Sequence, residues 1–106
     1  MYCVFCNIVA GTEPAKIRYE DDDVLVIDNR LQWVPVMLLI ITKKHMTQEE
    51  MWADTITGIA KVAVEIGQRL CPHGFRLVSN FGWDAMQSVY HGHLHILGGT
   101  ELGPYA

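Results

Sequence analysis

Only three cysteines, Cys3, Cys6 and Cys71, occur in 106 residues, an odd number and too few for the disulfide framework of a small secreted scaffold. The thiols are expected to be reduced. Basic residues are scarce as well: 8 Lys and Arg against 12 Asp and Glu give a formal charge of −4. That leaves no electrostatic footprint for nucleic acid or for an anionic membrane. No apolar run approaches the length of a membrane span, and no basic segment followed by an apolar stretch opens the chain. The expectation is a cytoplasmic protein. Internal repeats, low-complexity tracts and linkers are missing too, and the length suits a single domain over residues 1–106. With half of the residues apolar, disorder is excluded. The expected partner is a small molecule or a second copy of the chain.

What is present reads as strands, one long helix, then strands. Cys3 to Gly11 suits a short helical turn closed by Gly11, followed by a loop containing Pro14. Ile17 and Tyr19 alternate with polar neighbours, Asp21-Asp22-Asp23 reads as a solvated turn, and Val24 to Ile27 is an apolar strand ending at Asp28-Asn29. The unbroken apolar run Val36 to Thr42 predicts a central strand covered on both faces. Thr47-Gln48-Glu49-Glu50 fits a capping box. After it Trp52, Ile56, Ile59, Ala63, Ile66 and Leu70 form one helical stripe, predicted to be core with part of it facing a partner chain, and Pro72 and Gly74 end the helix. Phe75 to Asn80 reads as a further strand. This order predicts an α+β domain with an antiparallel sheet and one main helix.

The most informative run is Gln87-Ser88-Val89-Tyr90-His91-Gly92-His93-Leu94-His95-Ile96-Leu97-Gly98-Gly99. In a strand, alternate side chains share a face, so His91, His93 and His95 line one side while Gly92, Leu94 and Ile96 line the other. One face is chemical and the other is core. Imidazole titrates near neutral pH, and three in a row can divide the roles of nucleophile, proton carrier and hydrogen-bond donor. Metal binding competes with that reading, because His-x-His on a strand also presents two ligands to one ion. His73, in a loop, reads as an ordinary surface residue.

Cys3-x-x-Cys6, Tyr19-Glu20-Asp21-Asp22, Lys43-Lys44-His45, Asn80 and the triad run taken together resemble the histidine-triad family over nearly the whole chain. The resemblance is greatest to its Hint-like branch, the nucleoside phosphoramidases. The triad here closes with Leu97-Gly98-Gly99, where dinucleoside polyphosphate hydrolases usually close with Leu-Pro. The resemblance implies an α+β fold with a five-stranded antiparallel sheet, one long helix and a short N-terminal helix, paired in a homodimer. It also implies hydrolysis of nucleoside phosphoramidates, such as adenosine 5′-phosphoramidate, through a nucleotidyl-histidine intermediate.

In that scheme His93 is the nucleophile, suited to it when its second ring nitrogen donates to a backbone carbonyl. The amine leaves readily only when protonated, and the resemblance assigns the donor to the Ser88 segment. His95 and Asn80 bind phosphoryl oxygens, and Asp28 holds both ribose hydroxyls of a purine nucleotide by paired acceptor geometry. On their own, Asp28 and Asn80 read as turn residues at strand ends and Ser88 as a local hydrogen-bonding residue. Some members of the family hold a structural zinc ion with residues matching Cys3, Cys6, His45 and His91. Without metal, the two cysteines are buried thiols packing the N-terminal turn, and His91 is free to join a proton relay to the leaving group. No cofactor is implied for the chemical step.

The chain departs from the family pattern at several positions. Met37 stands where many relatives carry a further histidine, and a thioether cannot donate a proton. Thr42 replaces a usual proline, and Trp33 enlarges a usually small loop position. Asp84-Ala85-Met86 replaces a small glycine-rich step, so bulkier side chains there are expected to narrow the approach to phosphorus. Residues Thr100 to Ala106 lack the Trp-Pro-Pro tail of some relatives. Three alternatives therefore remain: a dinucleoside polyphosphate hydrolase or nucleotidyl transferase, a catalytically weak purine-nucleotide-binding module, and a metal-carrying histidine strand without nucleotide chemistry.

Overall fold

Each apolar run of the sequence becomes an element of an α+β fold in the computed structural model, which describes residues 2–104. Met1, Tyr105 and Ala106, the ends of the expected 1–106 domain, lie outside the described residues. Helix α1, Val4–Ala10, starts at Cys3, whose Sγ accepts from the Cys6 amide, and stops at Gly11 with φ of 81°. Gly11 can hold that left-handed conformation at no steric cost. Strand β1, Ile17–Glu20, and strand β2, Val24–Asp28, form the expected hairpin. Asp21 Oδ1 accepts from the amides of Asp23 (2.8 Å) and Val24 (2.9 Å), so the acidic run is a hydrogen-bonded turn. Those amides, Asp23 first, hold the Asp21 carboxyl below its ordinary pKa.

Strand β3, Val36–Thr42, pairs with β2 on one side and with β5, His93–Gly98, on the other. Strand β4, Phe75–Val78, closes the sheet beyond β5, giving the order β1-β2-β3-β5-β4 with every pair antiparallel. The β3 run is buried on both faces, as its composition requires. Val24, Val26, Leu38, Ile40, Leu94 and Ile96 face the long helix. On the opposite face Leu25, Ile27, Leu39 and Ile41 are covered by Phe5 and Ile8 of α1. Each such side chain, once buried, contributes about 1.5–3 kcal/mol.

Two strands are shorter than their patterns. Ser79 and Asn80 lie beyond β4, and His91 and Gly92 precede β5. The backbone at Gly92 pairs instead with the segment leading into the helix: its N–H donates to Met46 O (2.7 Å) and its carbonyl accepts from Thr42 N (3.2 Å).

The long helix begins with the predicted capping box, Glu50 N to Thr47 Oγ1 (3.1 Å) and Thr47 N to Glu50 Oε1 (2.9 Å). It runs as α2, Gln48–Glu50, through a π-helical turn, Met51–Thr55, into α3, Ile56–Leu70. The π turn corrects the apolar stripe. Ile59, Ala63 and Ile66 face the core, but Trp52 is 43% exposed and Met51 is fully buried. A π turn takes up an extra residue, so positions before it rotate relative to those after it. The Trp52 indole N–H donates to Ser79 Oγ (2.9 Å) at the surface.

Candidate functional site

The site lies on the α1 face of the sheet, where His93 and His95 project from β5. Antiparallel pairing sets Ile41 opposite His93 and Leu39 opposite His95, so both imidazoles enter an apolar layer roofed by Phe5. The Phe5 ring meets His93 edge-on at 5.2 Å, and the two histidine rings are 5.3 Å apart. A cavity of about 420 Å³ opens there, lined by His93, His95, Ser88, Asp28, Phe5 and Leu39 among others. Four of the predicted site residues thus line one cavity, Ser88, His93 and His95 from one short segment and Asp28 from the end of β2, where it pairs with Leu38 of the helix-facing layer.

His93 is held in one tautomer. Its Nδ1 lies 2.7 Å from the His91 carbonyl oxygen, and a carbonyl can only accept, so Nδ1 carries the proton. The lone pair is left on Nε2. Burial lowers the pKa of His93 against the raising effect of that hydrogen bond, which keeps the ring neutral and nucleophilic at neutral pH. His95 is pushed down to about 4, by burial first and by its neighbour His93 second.

A pH dependence of stability follows from His95. Its folded pKa lies below the unfolded value of about 6.5, so the unfolded chain binds the proton more readily. Its contribution is complete above about pH 6.5 and is lost as pH falls toward 4. Melting temperature should be level above that range and decline below it, and His95→Gln should make the decline shallower. Parallel slopes in the two proteins would contradict the assignment.

His91 turns elsewhere. Its Nε2 sits 2.6 Å from the Thr42 carbonyl and 3.1 Å from Thr42 Oγ1, so by the same reasoning the proton is on Nε2 and Nδ1 is bare. That Nδ1 meets Cys3 Sγ at 3.4 Å, Cys6 Sγ at 3.5 Å and His45 Nδ1 at 3.1 Å, and His45 Nδ1 meets Cys6 Sγ at 3.2 Å. All four donor atoms lie within 4.8 Å of one another. Tetrahedral zinc, with bonds of about 2.3 Å to sulfur and 2.0–2.1 Å to nitrogen, requires donor separations of about 3.3–3.8 Å. The cluster fits a metal, and the hydrogen bond of Nε2 to a backbone carbonyl is the outer contact that orients a metal-bound histidine. Burial first, and the neighbouring Cys3 after it, push the Cys6 thiol up.

These contacts correct the relay role expected of a metal-free His91. Both of its ring nitrogens are engaged away from the cavity, which His91 does not line, and its contribution to the reacting side is its carbonyl on His93. Asn80 does not line the cavity either. The expected crowding by Asp84-Ala85-Met86 is also corrected. These residues form the end of a 3₁₀ turn, Trp83–Ala85, and the left-handed Met86 (φ 62°), none lines the cavity, and Met86 is exposed. Met37 is buried, with its Sδ accepting from Trp33 N (2.9 Å).

Sequence reasoning missed two residues that hold the site. Gln87 Oε1 accepts from Gly82 N (2.8 Å) and its Nε2 donates to Val89 O (3.2 Å), bracing the loop that carries Ser88. Gln48, read only as a capping-box position, is fully buried. Its Oε1 accepts from His93 N (2.8 Å) and its Nε2 donates to Asn80 O (3.1 Å). One amide side chain thus replaces the strand ladder where β4 and β5 part. Gln48→Ala should orphan both backbone groups, costing about 1–3 kcal/mol for each, with the loss of activity falling on kcat rather than KM. Urea unfolding and steady-state kinetics check it; an unchanged unfolding midpoint would refute the bridge.

A family model described as the HIT domain matches residues 10–102. A HIT-like protein of Chlamydia trachomatis is 35% identical over 112 residues, covering 100% of both chains. Among solved structures, a HIT family hydrolase from Clostridium thermocellum superposes with a TM-score of 0.88 at 37% identity, covering 97% of this chain and 95% of that one. A Zn-bound histidine triad family protein from Mycobacterium smegmatis gives a TM-score of 0.80 at 33% identity, covering 95% of this chain and 79% of that one.

Proposed function

This chain belongs to the histidine-triad (HIT) family, and from that premise we propose that it hydrolyses nucleoside phosphoramidates through a nucleotidyl-His93 intermediate. The observation that carries the reading is the His93 tautomer, with Nδ1–H on the His91 carbonyl and the lone pair on Nε2 in a cavity shared with His95, Ser88 and Asp28.

His93 Nε2 attacks the α-phosphorus as the P–N bond breaks, and the nitrogen leaves with the bonding pair and takes up a proton from the Ser88 segment. Positive charge develops on the imidazole at that moment. The His91 carbonyl already faces Nδ1–H and stabilises it without reorganising. His95, neutral at pH 7, contacts phosphoryl oxygens, and the end of β2 at Asp28 lies on the sugar side. Water then attacks the phosphorus of the nucleotidyl-histidine, its proton returns to the Ser88 segment, and the P–N bond breaks to restore neutral His93 and release the nucleoside monophosphate. Release of AMP from adenosine 5′-phosphoramidate, with acid-quench trapping of nucleotidylated protein, tests the scheme. AMP binding without turnover would favour a binding module instead.

Zinc belongs to the same proposal, held by Cys3, Cys6, His45 and His91. The donor geometry supports it, and a relative is zinc-bound by description. Its contribution is structural, fixing the segment that presents the His91 carbonyl. A homodimer is the proposed assembly, supported by the edge position of β4 and by Val64 and Leu70 of α3, which remain exposed. Among the described residues no helix is long and apolar enough to cross a membrane, and a cytoplasmic location remains part of the proposal.

A further inference from the structure

Cys3 Sγ and Cys6 Sγ converge on one nitrogen, lying 3.4 and 3.5 Å from His91 Nδ1 and within 4.8 Å of each other. The Cys6 amide donates to Cys3 Sγ (3.4 Å), which holds that sulfur against the first turn of α1 and toward its neighbour. Three residues apart at a helix start, the two Cα atoms are separated by about 5 Å. A disulfide spans Cα separations of about 4.4–6.8 Å, so the two sulfurs can join by side-chain rotation with the backbone nearly in place.

A small oxidant can reach them. A second cavity, of about 610 Å³, is lined by Cys3, Cys6, His45 and Tyr90 among others, and both cysteines are partly exposed. The remaining thiol is placed differently. Cys71 is buried beside Gly98, at the opposite end of β5 from His91.

We propose that Cys3 and Cys6 form a reversible disulfide when a peroxide reaches the cavity, and that this releases the metal, making the cluster a site of redox modification. The release step rests on the zinc reading of the cluster, and the disulfide does not. One sulfur attacks an oxygen of the peroxide, the O–O bond breaks, and hydroxide departs, leaving a sulfenic acid. The second sulfur attacks the first, the S–S bond forms, the S–O bond breaks, and a second hydroxide departs. Both hydroxides leave as water, taking protons from the thiols or, where zinc had displaced those, from solvent. The two sulfurs give up two electrons in all, and the peroxide is reduced to two molecules of water. His45 and His91 then remain as two ligands of the four that structural zinc requires. His91 loses its partner at Nδ1 while Nε2 stays on the Thr42 carbonyl. A pair that is reduced at rest and oxidised on demand is the form in which disulfides occur in reducing compartments.

The test treats the full-length chain, as purified, with hydrogen peroxide and follows thiols and metal together. The thiol count of the unfolded chain should fall from three to one, with a link between Cys3 and Cys6 found by peptide mass mapping. About one equivalent of zinc should appear in solution, read with a chromogenic chelator. Dithiothreitol and added zinc should restore both readings. Cys71→Ala should lose the same two thiols, and Cys6→Ala should stop at a sulfenic acid on Cys3 that dimedone traps. Three thiols still counted after treatment, or their loss as sulfinic or sulfonic acid or through a link to Cys71 or to a second chain, overturns the disulfide. Zinc that stays bound once the link between Cys3 and Cys6 has formed overturns the release step. A chain that carries no zinc yet forms the link overturns the release step and the zinc reading together and leaves the disulfide standing.

Discussion

On the proposed reading, His93→Ala should lower turnover of adenosine 5′-phosphoramidate by about 10⁴-fold or more while AMP continues to bind, the scale of loss seen when a catalytic nucleophile is removed. Nothing nearby can take its place. His95 is held neutral, its pKa pushed down to about 4, but without the His91 carbonyl on its Nδ1 it lacks the contact that fixes the lone pair. His91 has both nitrogens committed to Thr42 and to the cysteine cluster. Binding should persist because Ser88 and the apolar wall of Phe5 and Leu39 remain. Single-turnover kinetics and an AMP titration on the same preparation separate the two effects. Activity within about tenfold of the parent would remove His93 from the nucleophile's role, since so small a loss corresponds to only about 1.4 kcal/mol in the barrier.

Metal removal is expected to act on stability rather than on the fold as a whole. The main core, Val26, Ile40, Ile59, Ala63 and Ile96 with their neighbours, includes none of Cys3, Cys6, His45 and His91, so the chain keeps its sheet after chelation. A ligand present at about a hundred times its dissociation constant adds about 2.7 kcal/mol. At about 4–8 °C per kcal/mol for a domain of this size, chelation should lower the melting temperature by about 10–20 °C. Cys3→Ala and Cys6→Ala should show the lower value without chelator. Purified protein should carry one zinc per chain by elemental analysis. Substoichiometric metal together with an unchanged melting temperature would count against the site. Acid should act as chelation does, because both thiols must be deprotonated to bind.

Much of this was legible along the chain because the governing interactions are local. Thr47 and Glu50 cap each other three residues apart, Gly11 closes α1, and the apolar β3 run can only be a covered strand. The alternation of His93 and His95 with Leu94 and Ile96 separated the imidazole face from the helix-facing core directly. What escaped the sequence depends on partners far away. The His91 ring is turned by Cys3, 88 positions off, and by His45, 46 positions off, so its separation from the cavity could not be read from an alternating pattern. Gln48 looks like an exposed first-turn residue until the ends of β4 and β5 are placed beside it. The π turn was hidden because Trp52 and Ile59, seven residues apart, are in phase on an ordinary α-helix.

The π turn at Met51–Thr55 makes the helix a shaft with two phases. Beyond it Ile59, Ala63 and Ile66 are keyed to the sheet, and before it Gln48 is keyed to the backbone of His93. One residue deleted from the turn would let the helix run straight, rotating its first turn by about 100° relative to the sheet. Gln48 would then leave His93 while every core contact beyond the turn stayed in place. The spacing of five residues on the helix side of the sheet thus acts as a timing mark. Two relatives whose helices differ there by one residue would share a core and hold their nucleophiles by different means.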